Sequence, residues 1–198
     1  AAWLTREGCS CTYRYSGTAW PSQPMTPWFL RITDRVCEAC GIKERPNSCN
    51  ANLYRDGSQS VGWHADDEPY FEATQRDALI ISLSLGAART FIARPHDNPT
   101  ETTKLVLGNG DICTMEGLMQ KHYLHCVQPE KGIAGARINL TWRWVVAHEH
   151  GCLTRAAHGL LEQALPRCQP PGAPLLPGLQ KLQLLPLPGA LERPLVPG

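Results

Sequence analysis

The sequence predicts a mainly all-β domain of the sandwich or barrel type, with one clear helix and a C-terminal tail of different character. Many short runs rich in β-branched and aromatic residues are separated by Gly, Pro and Asn-Gly, which is typical of such sheets. One stretch near residues 27–40 has helical spacing instead. Prolines become frequent after residue 152.

The predicted strands succeed one another along the first 146 residues. They cover residues 11–16, 50–55, 60–65, 79–85, 90–94, 103–107, 111–115, 123–127 and 137–146. Asn109-Gly110 lies between two of these runs and predicts a hairpin turn. The helix is expected to begin after Thr26, with Pro27 in its first turn, and to end before Gly41.

The chain divides into a domain at 1–152 and a tail at 153–198. The tail holds 9 of the 17 prolines, 13 leucines and no aromatic residue. Because prolines break helices and central strands, we expect a short helix only at 153–165. Residues 166–198 are expected to form a linker or disordered extension with polyproline-like segments. Since the chain begins at Ala1, we expect a piece of a larger, multidomain protein.

Composition narrows the class of protein. The chain has 198 residues, 42% of them hydrophobic, and can bury one sizeable core. No apolar run is long enough to cross a membrane, which argues against a membrane partner. Nine cysteines without the framework of a secreted domain predict reduced thiols. We therefore expect an intracellular protein, in the nucleus or the cytoplasm, and no targeting segment can be read from the chain.

Two cysteine pairs have spacings that a structural zinc site can use. They are Cys9-x-Cys11 and Cys37-x-x-Cys40. However, Cys37 and Cys40 fall within the predicted helix, and a free cysteine often behaves as a small buried hydrophobe. Buried free thiols are therefore the favoured interpretation, with zinc as the alternative.

Three residues of the metal-binding type are the most informative feature of the chain. His64 and Asp66 are two positions apart, so in an extended strand their side chains would share one face. His125 lies in a later apolar and aromatic run, where a histidine needs a partner. Two imidazoles and one carboxylate that leave the coordination sphere open suit Fe(II) and O2 chemistry. For His125 alone, a hydrogen-bonded core histidine is the alternative.

Residues 137–146 alternate between polar and apolar side chains. One face carries Arg137, Asn139, Thr141 and Arg143, and the other carries Ile138, Leu140, Trp142 and Trp144. In a barrel that holds a polar ligand, the polar face lines the cavity and the apolar face packs outside it. Two fixed guanidiniums can then bind a dicarboxylate. A solvated polar face is the alternative, but the metal-ligand residues upstream favour a 2-oxoglutarate-dependent oxygenase.

The stretch from about Cys11 to Val146 resembles the AlkB family of Fe(II)/2-oxoglutarate dioxygenases, and most of all its eukaryotic DNA- and RNA-repair members. The segments that carry the resemblance occur in family order. They are Tyr13–Gly17, Asn52–Gly57, His64–Pro69, Ser82–Phe91, Gly110-Asp111, Tyr123–Val127 and Arg137–Arg143. An ordered set of this kind is more specific than any single motif, and it covers about three quarters of the chain.

The resemblance implies a fold, a set of cofactors and a set of site residues. The fold is a double-stranded β-helix, or jelly roll, with one or two helices on one sheet. Fe(II) would be bound by His64, Asp66 and His125. The co-substrate 2-oxoglutarate would be bound by Asn52, Tyr54, Arg137, Asn139 and Arg143, with Arg137 on its distal carboxylate. With O2 as oxidant, such enzymes remove alkyl groups from nucleic-acid bases.

Four further residues are candidates for substrate binding. Relatives place an acid near the exocyclic amine of a damaged base, and Glu68 has that position; a solvated acid is the alternative. Tyr13 and Tyr15 offer aromatic faces for an extruded base, or for core packing. Arg89 is a candidate contact to substrate or phosphate, or an ordinary surface arginine.

Charge gives the nucleic-acid hypothesis little support. Residues 1–152 carry 15 Lys and Arg against 16 Asp and Glu, a net charge of −1. A local groove can still be basic, with Arg6, Arg14, Arg55, Arg89 and Arg94 as candidates. Because phosphate contacts dominate duplex binding, we expect single-stranded alkylated DNA or RNA to be preferred over duplex. We also expect the enzyme to be a monomer.

Two alternatives remain. One is a 2-oxoglutarate oxygenase that acts on protein or a small metabolite, which the near-neutral charge allows. The other is a binding domain of the same fold that has lost turnover, which the intact set of metal-ligand residues disfavours.

Overall fold

A computed structural model of the chain describes residues 1–15, 17–154 and 182–186. The first strands are β1 Ala2–Thr5, β2 Tyr13–Tyr15, β3 Thr18–Trp20, β4 Ser22–Pro24, β5 Ser48–Tyr54 and β6 Val61–His64. The others are β7 Ala78–Gly86, β8 Arg89–Pro95, β9 Thr103–Leu107, β10 Asp111–Gly117, β11 Tyr123–Val127, β12 Arg137–Arg143 and β13 Leu182–Pro186. The helices are α1 Pro27–Cys40 and α2 Met119–His122.

The described strands form two sheets and a separate hairpin. The larger sheet has the order β13-β10-β7-β12-β5-β1-β4, and the smaller has the order β6-β11-β8-β9. The hairpin pairs β2 with β3. All neighbours are antiparallel except β1 and β4. This confirms the mainly β, jelly-roll-like fold.

Side chains along β7 point alternately to the two faces of the larger sheet, and both faces are covered. Ile80 points to a cluster shared with Phe91 of β8 and Val127 of β11, which lies between the two sheets. Ile81 and Leu83 belong to a second cluster, on the other side of the sheet. Side chains two positions apart on a strand share a face. The two serines of β7 therefore face the smaller sheet, as Ile80 does.

Helix α1 covers the outer face of the larger sheet. It begins at Pro27, as predicted, and Gly41 ends it in the left-handed conformation with φ 67°. Phe29 stacks on Trp142 of β12 with ring centroids 5.7 Å apart. The Trp142 indole also donates a hydrogen bond to Thr33 Oγ1, at 3.0 Å. Since this face of β12 is fixed to the helix, its polar face must point inward.

We expect Thr33→Val to lower the free energy of unfolding by about 1–3 kcal/mol, because the buried Trp142 indole would lose its acceptor. Urea denaturation followed by tryptophan fluorescence measures this. Thr26→Val in the same helix is the matched control, since Thr26 makes no side-chain cap hydrogen bond. Equal losses in the two variants would contradict the role given to the Thr33 hydroxyl.

The hairpin predicted at Asn109-Gly110 is wrong. A turn is present, and Gly110 has φ 85°, but β9 pairs with β8 and β10 pairs with β7. The turn is fixed to the larger sheet instead: Gly86 N donates to Asn109 Oδ1 at 2.9 Å, and Gly110 N donates to Ser84 O at 2.8 Å. The turn therefore connects β9 of the smaller sheet to β10 of the larger sheet and does not form a hairpin.

A strand occupies part of the region where a linker was expected. Residues 182–186 pair antiparallel with β10 at the edge of the larger sheet. Leu185 packs against the cluster under α1. An edge strand tolerates a terminal proline such as Pro186, since one side of it needs no ladder donor. The helix predicted at 153–165 and the rest of the predicted linker lie outside the described residues, apart from Leu153 and Thr154.

No helix among the described residues is both long and apolar enough to cross a membrane.

Candidate active site

Strands β6 and β11 bring the three metal-ligand residues together. The two strands pair with His64 directly opposite His125, and their ring centroids lie 4.2 Å apart. Asp66 follows β6 by two residues, and its Oδ1 lies 4.0 Å from His64 Nε2. One ligand atom from each of the three lies within 4.8 Å of the others.

Neighbouring groups orient these side chains. His64 Nδ1 lies 2.8 Å from Gly62 O, and a carbonyl only accepts, so Nδ1 carries the proton and Nε2 offers its lone pair. The backbone N of Asp66 donates to Gln120 Oε1 at 2.9 Å. Phe91 stacks on His125 with centroids 5.3 Å apart. Such outer contacts typically fix the orientation of metal ligands.

Electrostatics hold Asp66 charged and His125 neutral. Burial alone would raise the pKa of Asp66, but the Arg143 guanidinium, with which it forms a buried ion pair, outweighs burial and is the main cause that lowers that pKa to about 2. Burial is the main cause that lowers the pKa of His125 to about 3. A carboxylate and a neutral imidazole are the forms that bind metals.

This donor set fits a ferrous ion. Two imidazole nitrogens and one carboxylate oxygen match the preference of non-haem Fe(II). Asp66 Oδ2 and His125 Nδ1 are buried and make no hydrogen bond within the described residues. Buried polar atoms without a partner are uncommon in folded proteins, so these atoms are consistent with a bound ion and its surroundings.

A cavity of about 550 Å³ extends from these residues between the two sheets. Much of its polar lining comes from inward-facing positions on β5, β7 and β12. These residues are Asn50, Asn52, Tyr54, Ser82, Arg137, Asn139, Thr141 and Arg143. The volume is within the usual range for small-molecule pockets, about 300–1,000 Å³.

Arg137 is a buried cation at one end of the cavity. Tyr54 and β7 form this end. Its Nη2 donates to Ser84 Oγ at 2.9 Å, and its guanidinium carbon lies 5.2 Å from the Tyr54 ring centroid. Nε and Nη1 make no hydrogen bond within the described residues. A carboxylate is the natural partner for two free donors of a guanidinium, so this end of the cavity fits 2-oxoglutarate.

The other predicted co-substrate residues also line the cavity. Asn139 donates to Ser82 Oγ at 2.7 Å and accepts from Thr141 Oγ1 at 3.0 Å. Asn52 lies opposite Asn139 in the ladder between β5 and β12. Asn50 also lines the cavity and is a site residue missed in the sequence, although its spacing from Asn52 puts both on one face of a strand.

Tyr13, Tyr15 and Glu68 lie beside the metal-ligand residues. Tyr15 meets the His64 ring edge-on, with centroids 5.7 Å apart. Tyr13 stacks on Trp3 at 4.9 Å and donates a 2.5 Å hydrogen bond to Glu68 Oε1. Burial raises the pKa of Glu68. Tyr13 and Tyr15 both line the cavity, whereas Glu68 does not.

Trp20 lines the cavity as well and was missed in the sequence. It lies opposite Tyr13 in the ladder between β2 and β3, and the two rings are 6.0 Å apart. Strand β3 has only three residues, too few for an alternating pattern to reveal it.

The structure does not bring Arg89 to the cavity. Its side chain is 1% exposed and donates to the carbonyls of Asp56, Gln59 and Gln128. It also forms an ion pair with Glu130 at 3.5 Å. Neither the surface position nor the substrate contact considered in the sequence matches this arrangement, in which Arg89 joins the β5–β6 loop to the loop that follows β11.

Comparison with known proteins agrees with this geometry. Residues 2–143 match the 2OG-Fe(II) oxygenase superfamily. The chain is 32% identical over 142 residues to the mouse protein "DNA oxidative demethylase ALKBH2", covering 68% of this chain and 57% of that protein. It is 37% identical over 148 residues to the bovine protein "Alpha-ketoglutarate-dependent dioxygenase alkB homolog 3", covering 70% of this chain and 50% of that protein.

The human alkB homolog 3 is 36% identical over 148 residues, covering 70% of this chain and 50% of that protein. The chain thus spans about half the length of the relatives it matches. The matched region contains both the metal-ligand residues and the arginines of β12, and the chain belongs to the AlkB family of Fe(II)/2-oxoglutarate-dependent dioxygenases.

Proposed function

We propose that this chain oxidatively dealkylates N-alkylated bases in DNA or RNA, using Fe(II), 2-oxoglutarate and O2. The observation that carries the proposal is the meeting of three elements in one cavity. His64, Asp66 and His125 lie beside Arg143, Arg137 lies with Tyr54 and Ser84, and the aromatic β2-β3 hairpin forms a further wall. Relatives named as a DNA oxidative demethylase and as an alpha-ketoglutarate-dependent dioxygenase support the same class.

The chain's own residues would position the reactants. Two imidazoles and the Asp66 carboxylate would hold the ion. When bound, Fe(II) supplies the oxygen chemistry that hydroxylates the N-alkyl carbon, and the product then releases an aldehyde. Arg143 keeps Asp66 anionic and fixes its orientation through their buried ion pair.

Arg137 would bind the distal carboxylate of 2-oxoglutarate. Ser84 already fixes one of its nitrogens, so the guanidinium plane is set before the ligand arrives and less entropy is lost on binding. Burial raises the pKa of Tyr54, which keeps the phenol protonated as a neutral donor. Asn52 and Asn139 would complete the polar wall.

The alkylated base would lie against Tyr15 and its neighbours on the hairpin. Aromatic faces receive bases that are flipped out or single-stranded. Glu68, held by the Tyr13 hydroxyl at 2.5 Å, is the candidate group for the edge of the base. Burial raises the pKa of this carboxyl above its usual range.

We expect Tyr15→Ala to raise the KM for a methylated single-stranded oligonucleotide by about 5- to 150-fold, since stacking on one base contributes about 1–3 kcal/mol. Steady-state demethylation measures this. Tyr15→Phe is the control, because it keeps the ring and removes only the hydroxyl. The stacking role would be refuted if both variants lost affinity equally, or if neither did.

A single-stranded substrate is favoured over a duplex. Residues 1–152 carry a net charge of −1, and two of the arginines considered for a basic groove are already paired, Arg14 with Glu149 at 2.6 Å and Arg89 with Glu130. Unpairing a base costs a few kcal/mol, and few phosphate contacts remain to offset that cost. We therefore expect faster repair of one methylated sequence when it is single-stranded than when it is annealed.

Mass spectrometry of oligonucleotides tests the proposal. The protein is incubated with Fe(II), 2-oxoglutarate, ascorbate and N-methylated DNA or RNA, each single-stranded and annealed. Loss of the methyl group from a single strand supports the function. Equal or faster repair of the duplex would reject the single-strand preference alone. No demethylation of any strand, with 2-oxoglutarate still consumed, would favour a protein or metabolite substrate.

A further inference from the structure

Four metal-ligand side chains converge at a second place in the described chain. They are Cys9, Cys11, His148 and Cys152, all buried, and their ligand atoms lie within 4.8 Å of one another. None of them lines the cavity. Cys37 and Cys40, the other pair with a zinc-type spacing in the sequence, lie on α1 and do not belong to this cluster.

The distances in this cluster match a tetrahedral ion. Three sulfurs surround His148 Nδ1, at 3.7 Å from Cys9, 3.4 Å from Cys11 and 3.5 Å from Cys152. The sulfurs of Cys9 and Cys152 are 3.9 Å apart. Bonds to Zn²⁺ of about 2.3 Å from sulfur and about 2.0–2.1 Å from nitrogen would give edges of about 3.8 Å between sulfurs and about 3.6 Å from sulfur to nitrogen.

We propose that these four side chains bind one structural Zn²⁺ ion. Three cysteines and one histidine with no open position are a set that closed zinc sites use. Backbone groups also aim at the sulfurs: Glu149 N donates to Cys11 Sγ at 3.3 Å, and Ser10 N donates to Cys152 Sγ at 3.5 Å. Such outer donors stabilise the charge of metal-bound thiolates.

A disulfide explains the cluster less well. Sulfur atoms in a disulfide are about 2.05 Å apart, whereas those of Cys9 and Cys152 are 3.9 Å apart. A disulfide would also use only two of the three thiols, and it would leave the approach of Cys11 to the same imidazole unexplained.

The ion would fasten the two ends of the described domain to each other. Cys9 and Cys11 follow β1, whereas His148 and Cys152 follow β12, and the contacts between them span up to 143 residues of sequence. Closing so long a loop in the folded state gives metal binding a direct effect on stability. Tyr13 follows Cys11 by two residues, so the ion would also hold the hairpin beside the iron ligands.

Metal analysis of the whole chain, purified with reductant from zinc-replete cells, tests this. We expect one zinc ion per chain after gel filtration, lost in Cys11→Ser and in Cys152→Ser. Cys40→Ser on α1 is the matched control and should keep its zinc. His64→Ala should keep it too, because that change affects only the iron ligands.

Two further measurements on the unaltered chain remain decisive if the cysteine variants fail to fold. X-ray absorption at the zinc edge should show three sulfur neighbours and one nitrogen neighbour. Cobalt substitution should give strong thiolate-to-metal absorption. The proposal is overturned by a purified chain without zinc, by zinc that His64→Ala removes, or by a Cys9–Cys152 disulfide in the native protein.

Discussion

Replacing His64 with Ala is expected to lower turnover of 2-oxoglutarate by more than about 100-fold, since losing even an outer partner of a metal ligand costs about 10- to 100-fold. In the proposed site, the imidazole would be one of three protein ligands of the ion. Its side chain is 17% exposed and belongs to none of the core clusters, so the domain should stay folded. Succinate formation over a range of Fe(II) concentrations, with a melting curve, measures both effects.

The control for this change is His96→Ala, since His96 is exposed and lies outside the cavity. Asp66→Ala is a poorer test of catalysis. It would leave the Arg143 guanidinium buried without its partner, which destabilises proteins by about 3–5 kcal/mol. Succinate formation near the parent rate in His64→Ala would remove His64 from the metal site.

Arg137→Lys is expected to weaken 2-oxoglutarate binding by about 2–5 kcal/mol, the usual cost of disrupting a buried hydrogen-bonded charge pair. This corresponds to roughly 30-fold to several thousand-fold in Kd. An ammonium keeps the charge but cannot reproduce the planar two-point contact with a carboxylate. Calorimetric titration of 2-oxoglutarate into the protein under anaerobic conditions, with a divalent metal present, measures the change.

Arg55→Lys is the matched control for this substitution. Arg55 follows β5 directly and is exposed, so the same exchange there should leave the affinity unchanged. Metal content measured in Arg137→Lys separates a loss of co-substrate from a loss of iron. An unchanged Kd with intact metal binding would place the 2-oxoglutarate carboxylate elsewhere in the cavity.

Local patterns in the sequence predicted the elements that build the cavity. The alternation in residues 137–143 indicated which face carries the arginines, and the packing of Trp142 on α1 confirms that its apolar face lies outside. Pro27 and Gly41 marked the ends of the helix because both act through their own backbone conformation. Where neighbouring residues determine the structure, sequence reasoning succeeded.

Contacts between distant segments could not be predicted in the same way. Nothing near Cys9 indicates that Cys152 will lie 3.9 Å away across the fold. Asn109-Gly110 has the chemistry of a hairpin turn, but sheet pairing depends on β7 and β8, which precede it. Arg89 looked like a free cation because its three carbonyl partners come from two loops that lie at least 30 residues away in sequence.

The most direct measurement is the stoichiometry of one reaction with an N-methylated single-stranded oligonucleotide. Demethylated strand, aldehyde and succinate are quantified together in the parent protein and in His64→Ala. We expect equal amounts of the three products from the parent protein and almost none from the variant. Succinate without demethylated strand would contradict base dealkylation, and demethylation that persists in His64→Ala would contradict the iron site.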